Sequence, residues 1–149
     1  AWLAAYIAEV RLRGAVPILI NSPERRNYDE AGRIVPSLAG YPAAVRQVAQ
    51  AQGVPLVELT EGTIAFYEAL GPEEAARGFA DEGRDRTHHN TYGAYQLARI
   101  VAAGMAGLPE LGAHVAPSFR VYDPADPPLP ASFTLPPSIV QANVEQAGS

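Results

Sequence analysis

An aspartate stands three residues before a histidine in Asp85-Arg86-Thr87-His88, inside a polar stretch that runs through His89 and Asn90 into Thr91-Tyr92-Gly93-Ala94-Tyr95. Imidazole is the side chain whose ordinary pKa lies near neutrality, so it can take up a proton and return it. A carboxylate bonded to one ring nitrogen fixes the tautomer and stabilises the imidazolium. In a tight turn, a three-residue spacing brings the two side chains together. Asp85 and His88 are therefore the candidate orienting acid and general base, although a turn-closing aspartate beside a solvated histidine has the same sequence. Arg25 and Arg26 are the candidate substrate-binding residues, because forked guanidinium donors match a carboxylate such as a uronate. A loop ion pair with Glu24 or Asp29 is the other use for them. His89 must point away from His88, into solvent or a wall, and His114 reads as surface. Tyr92 and Tyr95 read as packing residues.

A base needs a nucleophile, and the serines are Ser22, Ser37, Ser118, Ser132, Ser138 and Ser149. None stands in Gly-x-Ser-x-Gly, the sharp strand-to-helix turn that exposes a hydroxyl. Ser22 follows the end of an expected strand, where parallel sheets place ligands, but Ser22-Pro23 reads as a turn.

The elements that must position these residues come in two similar units. Trp2, Leu3, Tyr6, Ile7 and Val10 fall at helical spacing, predicting a helix over 2–13 that stops at Gly14, and Ala15–Asn21 reads as a buried strand. After a polar loop over 22–40, Pro42, Val45, Val48 and Ala49 predict a helix to Gly53, and Val54–Leu59 is the next strand. Helix, glycine, apolar strand, repeated, argues for parallel strands covered by helices. A helix over 63–70 should break at Gly71-Pro72, with a short turn over 73–77. The last helix, 92–105, is capped by Asn90 or Thr91 and buries Leu97, Ile100, Val101 and Met105. From Leu108 the prolines at 124, 127, 128, 130, 136 and 137 forbid helix and central strand, so an α/β region over 1–107 is followed by an extended Pro-rich tail over 108–149. Phe119, Tyr122 and Phe133 should dock parts of that tail.

At 149 residues, 48% hydrophobic and 18% charged, the chain can bury a core, and no apolar run reads as a membrane span. A net charge of -5 with scattered arginines argues against nucleic acid as a partner. Cysteines are absent, which excludes disulfides and thiolate metal sites, and the histidines lack His-x-x-x-His spacing, so neither metal nor cofactor is expected. The sequence opens without Met or a basic leader, as though inside a helix, and reads as a fragment.

The block Asp85, Thr87, His88, Asn90, Gly93, Ala94 resembles the Asp-x-Thr-His-x-Asn…Gly-Ala block of the SGNH (GDSL) hydrolases, in their rhamnogalacturonan acetylesterase-like branch. Pro17 to Asn27, with its Arg25-Arg26 pair, and Val54 to Thr60 are similar to two strands of that branch and the loop after the first. The resemblance runs from Ala1 to about Met105. It implies the C-terminal portion of a flavodoxin-like three-layer SGNH fold, with His88 as base and Asp85 as its orienting carboxylate. In that family a Gly-Asp-Ser serine attacks the ester, and a glycine and an asparagine hold the oxyanion. These lie in the N-terminal half and have no counterpart here. The expected function is hydrolysis of an acetylated carbohydrate or small ester, with the nucleophile from another segment or chain. Direct activation of water by His88 and a catalytically silent binding module are the alternatives. With part of the sheet missing, the Ala15–Asn21 strand should expose an apolar edge and favour a homo-oligomer or a complementary segment.

Overall fold

The structure, a computed structural model, describes residues 2–38 and 40–135. Helix α1, Trp2–Leu12, and helix α2, Gly40–Gln52, end in the same way. Gly14 and Gly53 take φ of 72° and 57°, letting Ala15 N–H reach Val10 O at 3.2 Å and Val54 N–H reach Ala49 O at 2.9 Å. A left-handed residue at this position costs glycine nothing, and the turn satisfies carbonyls that the helix end leaves open. Each helix thereby delivers the chain into a parallel strand, β1 at Leu19–Ile20 and β2 at Leu56–Val57, in register Leu19 to Leu56.

The architecture is α/β with parallel strands flanked by helices, as the sequence pattern implies, but each strand is only two residues long. Two causes shorten them. Pro17 and Pro55 have no N–H to give, and among the described residues β1 has a neighbour on one side only. The second strand also stops early because Leu59 already belongs to helix α3, Leu59–Ala76. That helix begins four residues before the expected start because Asn21, buried at the end of β1, accepts Thr60 N–H through Oδ1 at 2.9 Å. The same amide donates to Glu58 Oε2 at 2.6 Å, and Arg46 forks onto Glu58 at 2.8 and 2.9 Å. The break falls where Gly71-Pro72 predicts it, with Gly71 at φ 72°.

Helix α4, Thr91–Ala106, is capped by Asn90, whose side chain accepts Gly93 N–H at 3.1 Å. It packs closely on β2 and α3 through small residues. A Cβ on Gly104 would stand 2.6 Å from Val57 Cγ1, and one on Gly62 of α3 2.5 Å from Ile100 Cγ2. The core lies between α3 and α4 and comprises Ile34, Leu59, Phe66, Tyr67, Ala75, Phe79, Tyr92 and Ile100. Leu97 and Val101 pack at its margin.

Residues 108–135 lie along α4 in irregular chain and short 3₁₀ turns. Their aromatics dock as expected. Phe133 meets Tyr92 and Tyr95 at ring distances of 5.4 and 5.2 Å, and Arg99 stacks over Phe119 and Tyr122. Tyr122 donates to Gln96 and Tyr92 to Pro128 O. The Pro136-Pro137 pair and serines 138 and 149 lie outside the described residues.

The opposite face is open. Of the helical stripe on α1 only Ile7 is fully covered, while Trp2 is 80% and Tyr6 66% exposed. Leu3, Tyr6, Ile7 and Val10 form a groove of about 320 Å³ with Val16 to Leu19 beside the unpaired β1 edge. No described helix is long and apolar enough to cross a membrane.

Among the described glycines the least room lies at the start of α4, where a Cβ on Gly93 would overlap the Gly78 carbonyl oxygen and press His89 Cδ2. Gly93→Ala should lower unfolding stability by about 3 kcal/mol or more in urea titration, as overpacking against backbone cannot relax. Gly40→Ala, which meets open space, should change it by no more than about 0.5 kcal/mol.

Candidate active site

Residues 80–88 form a loop closed at its base. Phe79 and His89 make an antiparallel bridge, Ala80 N–H donates to His88 O at 2.8 Å, and Asn90 N–H donates to Gly78 O at 3.1 Å. The Asn90 side chain adds bonds to Arg77 O and Phe79 O, so one residue caps α4 and fastens the loop. Just inside the closure Asp81, Glu82 and Gly83 all take positive φ, 51°, 54° and 84°. Two of them carry a Cβ, a strained arrangement that persists because the surroundings over-determine it.

Asp85 and His88 come together as the spacing predicts. Asp85 Oδ1 accepts the backbone N–H groups of Thr87 at 2.6 Å and His88 at 2.8 Å, while Oδ2 lies 2.7 Å from His88 Nδ1. The His88 N–H, the His88 ring and the Thr87 N–H, in that order, hold the Asp85 carboxyl well below its ordinary range. Asp85 therefore remains ionised, and the proton of a neutral His88 ring resides on Nδ1. The lone pair is on Nε2, and the side chain carrying it is 79% exposed. This geometry equips His88 to take a proton from a group placed beside it.

His89 turns the other way, into a wall of aromatics. Its ring lies 4.4 Å from that of Phe79, and Nε2 is 2.8 Å from Tyr67 Oη. Burial lowers its pKa to about 4, against the attraction of Asp85 and with the repulsion of His88. At neutral pH the neighbour of His88 is thus uncharged. His114 is exposed in the turn Gly112–His114.

The Arg-Arg pair divides. Arg25 is exposed, and its side chain makes no bond among the described residues. The ion pairs that the sequence allows are not formed. Glu24 Oε1 is taken by Arg25 N–H and by the Ser37 N–H and hydroxyl, and Asp29 accepts Ala31 and Arg33 N–H groups. Arg26 instead grips the loop. Its Nη2 donates to Asp85 O at 3.2 Å and to Gly83 O, its N–H donates to Arg86 O at 3.1 Å, and its guanidinium lies 5.0 Å over the Phe79 ring. Sequence reasoning missed this clamp, because the carbonyls stand 57 and 59 residues away and carbonyls have no sequence signature.

Among the described residues no serine bonds His88. Ser37 donates to Glu24, Ser132 to Leu129 O, and Ser118 is exposed. The Ser22 hydroxyl is buried without a partner. Nor do three or more His, Cys, Asp or Glu groups gather where a metal could sit.

Comparison with known proteins places the chain beside two from Bacillus subtilis (strain 168). It is 36% identical to the rhamnogalacturonan acetylesterase RhgT over 72% of this chain and 52% of that protein. It is 37% identical to the probable rhamnogalacturonan acetylesterase YesY over 72% of this chain and 51% of that one. The resemblance read from the Asp85–Ala94 block thus holds along most of the sequence, and the chain spans about half the length of the curated relatives it matches. No family model matches it, and no solved structure does.

The buried His89 gives stability a pH dependence of known sign. Unfolded, the ring takes a proton near its ordinary 6.5, and folded only near 4, so between these values the unfolded state binds more protons. Stability is therefore full above about pH 6.5 and falls as pH drops toward 4. The carboxyls of Glu24, Glu58 and Asp85, all held below their ordinary values, stabilise the fold fully above those values and add to the loss only as pH falls below them. In Glu24 burial is outweighed by hydrogen bonds from Arg25 and Ser37, and Glu58 is held down by Arg46. Urea unfolding at pH 7 and pH 5 should differ by about 1–2 kcal/mol, the full shift being discounted for partial exposure of the ring. In His89→Gln, which keeps a partner for Tyr67 but does not titrate, that difference should vanish.

Proposed function

We propose that Asp85 and His88 are the orienting acid and general base of a serine ester hydrolase that removes acetyl groups from carbohydrate. The observation that carries this reading is the Asp85–His88 bond, which commits Nδ1 and leaves an exposed Nε2 free to accept a proton. Kinship with two proteins named as rhamnogalacturonan acetylesterases supports the ester and the acetylated polysaccharide.

His88 Nε2 takes the proton of a serine hydroxyl as its oxygen bonds to the acetyl carbon. The imidazolium, stabilised by Asp85, then returns that proton to the departing sugar oxygen. Water, deprotonated by the same nitrogen, attacks the acetyl-enzyme and releases acetate and the free serine. The nucleophile and oxyanion donors come from protein seated along the open β1 edge and the groove on α1. There a further strand finds backbone partners and covers Tyr6, Val16 and Ile18. Among the described serines none is placed for the task.

The test is hydrolysis of a chromogenic acetyl ester and of acetylated rhamnogalacturonan, with a fluorophosphonate to label the nucleophile. His88→Ala should lower kcat/KM by about 10³-fold or more, and Asp85→Asn by about 10²–10⁴-fold with the fold intact. The label should fall on a serine other than Ser22, Ser37, Ser118 and Ser132. Turnover dependent on His88 but without labelling would replace the acyl-enzyme by water activation. With the protein that seats on the β1 edge supplied, the absence of both would make the chain a binding module.

A further inference from the structure

We propose that the cavity between the Arg26 loop and residues 83–86 is a subsite for the carboxylate of a uronic acid unit. It measures about 490 Å³, within the range of small-molecule sites, and is lined by Arg26, Tyr28, Pro72, Gly83, Arg84 and Arg86. Three of the chain's 11 arginines converge here, in a protein whose net charge is -5.

Little on the protein neutralises them. Arg84 forks onto Asp81, with Nε 3.0 Å from Oδ2, but the Arg86 side chain makes no ion pair among the described residues. Arg26 spends Nη2 on carbonyls and leaves Nε buried without a hydrogen-bond partner. The positive charge on Arg86 is close enough to oppose that on Arg26, which burial already disfavours. Like charges held around a concave, partly desolvated site repel, and an anion that enters relieves the repulsion. A carboxylate fits, since its two oxygens accept parallel N–H bonds from a guanidinium fork. Tyr28 and Pro72 supply apolar wall for a sugar ring.

The position explains the use. Gly83, Arg84 and Arg86 belong to the loop that carries the base, and Asp85, between two of the lining residues, turns its carboxylate to His88. A polysaccharide anchored here by the acid group of one unit would present a neighbouring unit's ester to Nε2. That the carboxylate is a sugar's rests on the carbohydrate-ester reading above, whereas the cavity's charge does not.

The experiment is calorimetric titration of the full chain with an oligogalacturonate, its methyl ester, a neutral galactose oligomer and inorganic phosphate. The free acid should bind, more weakly as salt is raised, and the methyl ester and neutral oligomer should bind at least 10-fold more weakly. The double variant Arg84→Gln/Arg86→Gln should lose 10-fold or more in affinity for the free acid. Arg86→Lys, which keeps the charge but not the fork, should fall between, with unchanged unfolding midpoints throughout. His88→Ala should bind as the wild type does, because His88 does not line the cavity, so failure of the esterase reading and failure of this one are separable. Equal binding of acid and methyl ester, undiminished binding by the double variant, phosphate binding as tight as the uronate's, or no binding at all would each overturn the assignment.

Discussion

The site depends on a closure made where two glycines touch. Gly78 and Gly93 bring the end of α3 against the start of α4 so closely that the Gly93 backbone leaves no room for a side chain, and a Cβ on Gly78 would stand 3.3 Å from Ala75 O and 3.6 Å from Gly93 Cα. Across this contact Asn90 donates its backbone N–H to Gly78 O and its side-chain N–H groups to Arg77 and Phe79, while its oxygen caps α4. The ends of the 80–88 loop are thus tied to the core element with the most buried aromatics. Pinned ends allow strained φ angles at Asp81 and Glu82, and they let the loop fold back far enough for Asp85 to collect two N–H groups and a ring nitrogen.

Electrostatics then sets the charge of the groups around His88. Asp85 is saturated with donors and stays anionic. His89, one residue from His88, is stripped of its charge by burial against the Phe79 and Tyr67 rings. Without that burial a second imidazolium beside His88 would oppose the first. Arg26 brings positive charge to the far side of the loop, but through backbone carbonyls, so it steadies Asp85 without competing with His88 for the carboxylate. The orientation of the His88 ring and the freedom of its Nε2 are therefore set by different atoms.

What the sequence makes legible is local. Helix ends at Gly14 and Gly53, the break at Gly71-Pro72, the Asn90 cap and the Asp85–His88 pair each arise from residues within about one turn of one another, where spacing dictates geometry. Arg26 on the loop carbonyls and Asn21 capping α3 join residues 39 or more apart, and no spacing announces them. The strands fall between these cases. Their apolar runs at Ala15–Asn21 and Val54–Leu59 are plain, yet strand length depends on how many neighbours are present to accept and donate, and a run flanked on one side only forms a short ladder. The tail aromatics at 119, 122 and 133 were legible as docking residues because apolar rings in a proline-rich stretch have little other use.

The uneven distribution of packing connects these points to function. The aromatics of α3, α4 and the loop base are nearly all covered, Phe66, Tyr67 and Phe79 being no more than 2% exposed. On the α1 side Trp2, Tyr6, Leu12 and Val16 remain largely open to water. His88, the proposed base, is thereby built on the part of the fold that holds itself together. The open apolar area and the strand edge that is unpaired among the described residues lie on the other part, where the proposed further segment would seat. A proton acceptor has to keep its orientation to within tenths of an ångström through every turnover, which a self-packed helix pair can provide. The nucleophile proposed to arrive on a neighbouring strand would need only a seat in the correct register, and the β1 edge beside an apolar groove would supply one.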